Sequence, residues 1–228
     1  MAPTSPPTRT WLSWSTGKDS AWSLHVLRGQ PDVSVEALFT TVSAGYDRVA
    51  MHAVRRALLE RQAEAAGLPL TVIEIPSPCS NADYERILGG FVADARSAGV
   101  DAMAFGDLFL SDVRSYRERQ LSGSGIAPLF PLWGRDTAAL AREMIAGGLA
   151  ARLTSIDPRK LDRSFAGRSF DAALLADLPA GIDPCGENGE FHSFVTAGPM
   201  FRSPVAVTVG EVVERDGFVF ADVVPART

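Results

Sequence analysis

Apolar and polar positions follow two different periods along the first half of the chain. Runs such as Val33–Thr40 and Leu70–Ile75 are apolar and β-branched, which is typical of buried strands, and the segments between them have helical spacing. This alternation predicts βαβ units, and therefore an α/β fold with a parallel sheet and helices on both faces. The predicted strands are 11–14, 33–40, 70–75 and 101–105, and the predicted helices are 21–27, 52–66, 81–98 and 112–121.

The second half has a different pattern. It is predicted to contain a helix at 136–146, a strand at 149–156, and short helices around 161 and at 172–178. A segment rich in Gly and Pro then leads into three β-type runs at 191–196, 205–213 and 218–224, and Asp216-Gly217 predicts a hairpin turn between the last two. We therefore expect a loose tail at 1–10, a first domain at 11–133 and a smaller α+β domain at 134–228.

Composition limits the class of protein. The 228 residues include 22 basic and 27 acidic side chains, a net charge of −5, which disfavours a large nucleic-acid surface. No apolar stretch approaches the length of a membrane span, and the first ten residues lack the apolar core of a signal peptide. Cys79 and Cys185 are far apart and form no Cys-x-x-Cys motif, and the three histidines lack metal-ligand spacing. These features predict a cytoplasmic enzyme.

The segment Ser15-Thr16-Gly17-Lys18-Asp19-Ser20 lies between the first predicted strand and the first predicted helix. Backbone N–H groups and the helix dipole at such a turn favour a phosphate, and Lys18 adds a full positive charge. A Walker A loop is excluded because Asp19 follows Gly17-Lys18 where Ser or Thr is required, and a dinucleotide fingerprint is excluded because Gly17 stands alone. The alternative is a Ser/Thr-rich turn with a helix cap.

A second unusual segment is Gly186-Glu187-Asn188-Gly189-Glu190-Phe191-His192-Ser193. Two carboxylates flank a glycine at the entrance to a predicted strand. The segment is either a polar turn that feeds the strand or part of a site.

The first segment resembles the Ser-Gly-Gly-x-Asp-Ser PP-loop of the ATP pyrophosphatases, with Thr16 in place of the usual glycine. The second resembles the Gly-Glu-x-Gly-Glu-Phe/Tyr motif of the diphthine–ammonia ligase family, a branch of these enzymes. Gly106-Asp107 with Arg114, Tyr116 and Glu118, and the segment Pro128–Trp133, resemble two further segments of the family. The resemblance extends from about Trp11 to Phe201.

The resemblance implies an ATP-dependent ligase with an ATP-binding first domain and a substrate-binding second domain. Such an enzyme adenylates a carboxylate, releases pyrophosphate, and lets ammonia displace AMP to form an amide. The acceptor would be a small molecule or a protein, as with diphthamide formation on translation elongation factor 2. Nucleic acid is an unexpected partner, and a homodimer is a weak expectation from base rates.

The resemblance also implies roles for individual residues. Asp19 would hold Mg²⁺, and Lys18 would support the phosphates. Glu187 or Glu190 would handle ammonia, because a carboxylate can hold NH₄⁺ and accept its proton. The remaining implied contacts are Ser15, Thr16, Gly17, Ser20, Thr40, Thr41, Gly106 and Asp107 for ATP, and Arg114, Asn188, Gly189 and His192 for the acceptor.

Other residues and functions stay open at this point. Arg48, Arg55 and His52 are further candidates for contacts with phosphate or substrate, or are solvated and packing residues. The competing functions are a PP-loop tRNA sulfurtransferase and a non-catalytic ATP or AMP sensor.

Overall fold

The first sheet has five parallel strands and helices on its faces. The computed structural model describes residues 6–44 and 54–226. The strands of this sheet are β1 (Thr8–Ser13), β2 (Val33–Ser43), β3 (Leu70–Ile75), β4 (Ala102–Ala104) and β5 (Ala127–Leu129). The helices of this part are α1 (Lys18–Arg28), α2 (Arg56–Ala66), α3 (Asn81–Ser97) and α4 (Ser111–Leu121).

The strand order is β3-β2-β1-β4-β5, so the winding direction reverses between β1 and β4. Every pairing in this sheet is parallel. In open α/β sheets, ligands bind outside the carboxyl ends of the strands where the order reverses. The predicted α/β class is confirmed, and the topology directs attention to the loops that follow β1 and β4.

Local signals explain most element ends, with two corrections. Gly67 ends α2 with φ +65°, a left-handed conformation that glycine adopts freely. The cap of α3 is Ser80, whose hydroxyl accepts a hydrogen bond from Asp83 N, and not the predicted Asn81. Strand β5 was not predicted, because Pro128 lies at its centre and a proline argues against a strand.

The second sheet is antiparallel, in the order β7-β6-β9-β8. Asp216 and Gly217 form the predicted hairpin turn, with φ of +53° and +79°. Around Leu161 the structure has a 3₁₀ turn at Arg163–Phe165. The elements of this half are α5 (Thr137–Ala146), β6 (Ala150–Ile156), α6 (Ala172–Asp177), β7 (Phe191–Ala197), β8 (Val207–Arg215) and β9 (Phe218–Pro225).

One hydrophobic cluster joins the two halves. It contains Leu12 and Leu24 from β1 and α1 together with Met144 from α5 and Phe194 from β7. Phe194 is fully buried. Strand β7 of the second sheet therefore packs against α1, and its Val195 N donates to Thr16 O at 3.1 Å in the loop that follows β1. No helix in the described part of the chain is both long and apolar enough to cross a membrane.

Candidate active site

The phosphate loop, Ser15–Ser20, leads from β1 into the start of α1, and hydrogen bonds of its own serine side chains close it. Ser15 and Ser20 hydroxyl oxygens lie 3.1 Å apart, and Ser20 Oγ donates to Gly17 O at 3.0 Å. Gly17 N donates to Ser15 Oγ at 3.4 Å. Because the first N–H groups of a helix have no acceptor within it, the start of α1 can donate to a phosphate.

Thr16 has a conformation that is unusual for its residue type. Its φ is +71°, in the left-handed region where a β-branched side chain is strained. Its side chain is buried, and its Oγ1 has no hydrogen-bond partner among the described residues. The family motif has glycine at this position, and glycine adopts such a φ without strain.

Lys18 is buried and held by oxygen atoms from both halves of the chain. Its Nζ lies 2.9 Å from Asp19 Oδ2 and also donates to Cys185 O. Burial opposes its charge, but the neighbouring Asp19 carboxylate, with further help from Glu187, raises the pKa of Lys18 above its ordinary value. Lys18 is therefore a fixed positive charge at the start of α1.

The end of β4 lies against the phosphate loop. A Cβ on Gly106 would lie 3.0 Å from Asp19 C and Ser20 N, a distance at which the backbone would have to shift, so this approach favours glycine. The next residue, Asp107, has a raised pKa because of burial, and the negative charge of Asp19 adds to the effect. Asp19 and Asp107 are thus neighbours across the reversal between β1 and β4.

The donor set here fits a hard divalent cation. Asp19 Oδ1 and Asp107 Oδ2 are both buried and have no hydrogen-bond partner in the part of the chain that the structure describes. The described residues contain no group of three or more metal-ligating side chains. Asp107 Oδ2 lies 3.9 Å from Arg117 Nε, an ion pair without a hydrogen bond. Mg²⁺ is commonly bound by one or two carboxylates together with substrate phosphates, so these two carboxylate oxygens suit Mg²⁺ that arrives with a nucleotide.

The loop before β7 brings a carboxylate from the second half to the same place. Gly186 has φ +70°, and a Cβ there would come within 2.8 Å of Phe191 O. Asp183 Oδ1 accepts hydrogen bonds from Cys185 N at 2.9 Å and Glu187 N at 3.2 Å. The hydrogen bonds of Asp183 therefore stabilise the turn, and with it the backbone position of Glu187.

Glu187 and Glu190 have different environments. Glu187 Oε1 accepts a hydrogen bond from Leu108 N at 2.8 Å, and the residue lines a cavity between the two halves. Glu190 is 2% exposed and its Oε1 accepts from Asp183 N at 3.2 Å. Glu190 does not line the cavity, and its hydrogen bond with Asp183 N stabilises the loop before β7.

The cavity has a volume of about 600 Å³. It collects residues from the phosphate loop, from the end of β4 and from the loop before β7. Among the residues named from the sequence, those lining it are Ser15, Gly17, Lys18, Asp19, Ser20, Gly106, Asp107, Glu187, Asn188, Gly189 and His192.

A second cavity of about 400 Å³ lies beside the first. Thr40 and Thr41, at the end of β2, line it. Ser13, Ser15, Phe105 and Arg117 line both cavities, which are therefore adjacent. The pair of cavities suits a ligand with a polar, charged end and a flatter, less polar end.

Two arginines of α4 have different positions. Arg114 lines neither cavity, because its guanidinium lies over the rings of Phe130 and Trp133, at 4.8 and 4.7 Å from their centroids. Arg117 was not singled out in the sequence, yet its Nε is buried and has no hydrogen-bond partner among the described residues. The signal that could have found Arg117 is its position one helical turn after Arg114, next to the named Tyr116 and Glu118.

Sequence reasoning also missed Ser193 and Cys185. Ser193 is buried on β7, and its Oγ accepts a hydrogen bond from Lys18 N at 3.2 Å.

Of the remaining candidates from the sequence, Arg55 forms an ion pair with Asp222 at 2.6 Å. Arg48 and His52 lie outside the described residues.

Burial also shifts the pKa values of Glu187, Cys185 and His192, which line the larger cavity. It raises the pKa of Glu187 to about 7 and that of the Cys185 thiol to about 12. It lowers the pKa of His192 to about 4, and the positive charge of Lys18 acts in the same direction. At neutral pH, His192 and the thiol are thus uncharged, while Glu187 can exchange a proton.

Two domain models of one protein family match the sequence. The Diphthamide synthase N-terminal domain matches residues 8–128, and the Diphthamide synthase C-terminal domain matches residues 136–221. The chain belongs to the diphthamide synthase family. The predicted membership in the diphthine–ammonia ligase branch of the PP-loop enzymes is thereby confirmed.

Curated relatives of this diphthamide synthase family member have the same name in several species. A diphthine–ammonia ligase of Danio rerio is 29% identical, over 92% of this chain and 90% of its own length. The Homo sapiens ligase is 26% identical over 81% of this chain and 71% of its own length. The match to the Schizosaccharomyces pombe ligase covers 50% of this chain and only 20% of that larger protein.

A solved structure also resembles this diphthamide synthase family member in part. It is the U34-tRNA thiolase NcsA from Methanococcus maripaludis with its [4Fe-4S] cluster, at 14% identity and a TM-score of 0.38. The overlap covers 61% of this chain and 57% of the thiolase, which is too weak a likeness to bear on fold or function.

Proposed function

We propose that this chain is an ATP-dependent ligase that adenylates a carboxylate, releases pyrophosphate, and forms an amide with ammonia. The diphthine named in its relatives is the proposed acceptor. One observation carries the proposal: Lys18, Asp19 and Glu187, from two halves of the chain, line one cavity at the strand-order reversal. Lys18 and Asp19, proposed to bind ATP, and Glu187, proposed to bind ammonia, can thus contact reactants in the same cavity.

The phosphate loop is proposed to hold the triphosphate during adenylation. The acceptor oxygen attacks the α-phosphorus, its new P–O bond forms, and the bond to pyrophosphate breaks. Negative charge grows on the leaving pyrophosphate, where fixed N–H donors and the ammonium of Lys18 lower the energy of the transition state. Arg117, which lines both cavities, suits the α-phosphate between the adenosine end and the phosphate loop.

Mg²⁺ is proposed to be held by Asp19 and Asp107, on the strength of their unpartnered oxygens. When bound, it would neutralise charge on the phosphates. Thr40 and Thr41 are proposed to contact adenine or ribose, because they line the adjacent, less polar cavity.

Glu187 is proposed to act in the second half of the reaction. NH₄⁺ binds beside its carboxylate and gives up one proton to it. The ammonia attacks the activated carbonyl carbon, the C–O bond to AMP breaks, and the nitrogen loses its second proton to solvent as the amide forms. A pKa of about 7 suits this exchange, because a base works best when its pKa lies near the operating pH. Glu190 is proposed to be structural, since its carboxylate accepts from Asp183 N behind the loop.

The cysteines support a ligase over a sulfurtransferase. The thiolate is the nucleophile in sulfur transfer, and a Cys185 thiol with a pKa of about 12 is almost fully protonated at neutral pH. Cys79 does not line the cavity. No feature of the site favours a sulfurtransferase or a sensor over the ligase.

The experiment is a product analysis with diphthine-bearing elongation factor 2, ATP, Mg²⁺ and ammonium. The proposal expects AMP, pyrophosphate and amide in equal amounts, with none formed when the acceptor is omitted. ADP and phosphate as products would overturn the AMP-forming mechanism. Turnover with a small carboxylate, and none with the protein, would overturn the proposed acceptor alone.

A further inference from the structure

Gln62 lies in α2 and lines neither cavity, yet its fully buried side chain contacts three segments around the phosphate loop. Its Oε1 accepts a hydrogen bond from Trp14 Nε1 at 2.9 Å. Its Nε2 donates to Thr16 O at 3.1 Å and to Val195 O at 2.7 Å. A primary amide has two N–H donors, and both are used here. One side chain thus connects the end of β1, the phosphate loop and β7.

The carbonyl of Thr16 is held by two donors. Val195 N donates to Thr16 O at 3.1 Å, in addition to the Gln62 amide. In a planar trans peptide, the carbonyl oxygen and the following N–H point in opposite directions. Because Gln62 Nε2 and Val195 N both hold Thr16 O, the N–H of Gly17 points away from these two donors. Gly17 lines the larger cavity, and its N–H makes a long hydrogen bond of 3.4 Å to Ser15 Oγ.

Thr16 is the residue that most needs this restraint. A β-branched residue at φ +71° relaxes toward ordinary backbone angles unless its surroundings oppose the change. Its own hydroxyl does not help, because Oγ1 has no partner among the described residues. The two hydrogen bonds on its carbonyl, together with the long one from Gly17 N to Ser15 Oγ, thus oppose rotation of the Thr16–Gly17 peptide.

We propose that Gln62 is a positioning residue for nucleotide binding: by holding Thr16 O, it directs the Gly17 N–H toward the phosphates. The inference rests on the proposed function, because it requires that this loop binds the phosphates of ATP. Gln62 itself contacts no reacting atom. The conformation of the phosphate loop also depends on the second sheet, because Val195 in β7 is hydrogen-bonded both to the Gln62 amide and to Thr16 O.

The test is calorimetric titration of ATP and of pyrophosphate into the wild-type chain and its variants. Gln62→Met should weaken both affinities about tenfold, the size expected when a hydrogen bond to a charged group is lost. The decisive variant is Gln62→Met combined with Thr16→Gly. Because glycine adopts φ +71° without strain, this combination should recover most of the lost affinity.

Controls separate positioning from stability. Leu59→Ala removes another fully buried side chain of α2, and should lower the melting temperature while leaving both affinities unchanged. If Gln62→Met does not fold, Gln62→Leu also removes both donors, adds neither a charge nor a new donor, and should show the same tenfold loss.

Two results would overturn the inference alone: unchanged affinities in a folded Gln62 variant, or a double variant no better than Gln62→Met. The second result would assign Gln62 a packing role only. A wild-type chain that binds neither ATP nor pyrophosphate would instead overturn the proposed function, and the inference with it.

Discussion

The Glu187 carboxylate accepts a hydrogen bond from the backbone N–H of Leu108 at 2.8 Å. Leu108 follows β4 in the first sheet, whereas Glu187 precedes β7 in the second. This contact connects the two halves above the phosphate loop. Because Glu187 is proposed to handle ammonia, a change in its side chain should affect amide formation more than nucleotide binding.

Glu187→Gln should separate the two half-reactions. The amide still accepts from Leu108 N but cannot take a proton from ammonium, so amide formation should fall about a hundredfold, as is typical for the loss of a general base. Pyrophosphate release in the first turnover should persist. Rapid-quench measurement of pyrophosphate and amide in the same samples checks this.

Glu190→Gln is the matched control for that experiment. The substitution is the same and lies three residues away, on a side chain outside the cavity. It should change amide formation by less than about twofold. A larger loss here than with Glu187→Gln would reverse the roles proposed for the two carboxylates.

The amidation rate should depend on pH through Glu187. With a pKa of about 7, its carboxylate is mostly protonated at pH 6 and mostly ionised at pH 8, so the rate at saturating ammonium should rise between these values. The ratio of wild-type to Glu187→Gln rates should rise over the same interval. A constant ratio from pH 6 to 8 would argue against Glu187 as the titrating group.

Stability should show the opposite dependence on pH. Burial raises the pKa of Glu187 from 4.5 to about 7 on folding, so the native state binds more protons between these values. The contribution of Glu187 to the free energy of unfolding is full below pH 4.5 and is lost as pH rises through 7. Glu187→Gln should therefore be more stable than wild type at pH 8, by about 1 kcal/mol after allowance for solvent screening. Urea unfolding at pH 4.5 and pH 8 gives the comparison.

Asp19→Asn should remove the effect of Mg²⁺ on ATP binding. The neutral amide is a poor ligand for Mg²⁺, so ATP should bind this variant with similar affinity in magnesium and in EDTA. Titration of ATP under both conditions measures the difference. Asp112→Asn, which changes an exposed carboxylate outside both cavities, should keep the wild-type magnesium effect. If Asp19→Asn also keeps it, the proposed metal role is wrong.

Gly106→Ala should disturb the phosphate loop by steric contact. The added Cβ would lie 3.0 Å from Asp19 C and Ser20 N, which are backbone atoms and cannot rotate away. We expect a loss of about 1–3 kcal/mol in unfolding free energy and weaker ATP binding. Gly90→Ala in α3 is the control, because a Cβ there meets nothing within 4 Å and should stabilise the helix by about 1 kcal/mol.

The local elements were largely readable from the sequence. The apolar run at 70–75 predicted a strand, and β3 is Leu70–Ile75 as expected. Asp216-Gly217 predicted the hairpin turn because a two-residue turn with positive φ at both positions favours Asp-Gly. Strand β5 was missed because Pro128 lies at its centre, and the 3₁₀ turn at Arg163–Phe165 was misread because so short a segment does not show which kind of helix it forms. The predicted division into domains at 11–133 and 134–228 remains a proposal.

The candidate site was less predictable. The motifs pointed to both Glu187 and Glu190, because sequence spacing does not say which carboxylate faces the cavity. Arg117 was missed because an arginine on a helix is usually a solvated residue. Gln62 was missed because its hydrogen-bond partners lie 46 to 133 positions away along the chain.

The sequence by itself determined the α/β order and the chemistry of the phosphate loop, because both depend on neighbouring residues. Periodicity, glycine positions and the Lys18-Asp19 pair are local properties. Only the tertiary structure decided that β7 completes the loop, that Glu187 and not Glu190 lines the cavity, and that Thr16 occupies a strained conformation. These outcomes depend on packing between residues far apart in the chain, and burial then sets the proton affinities on which the proposed chemistry rests.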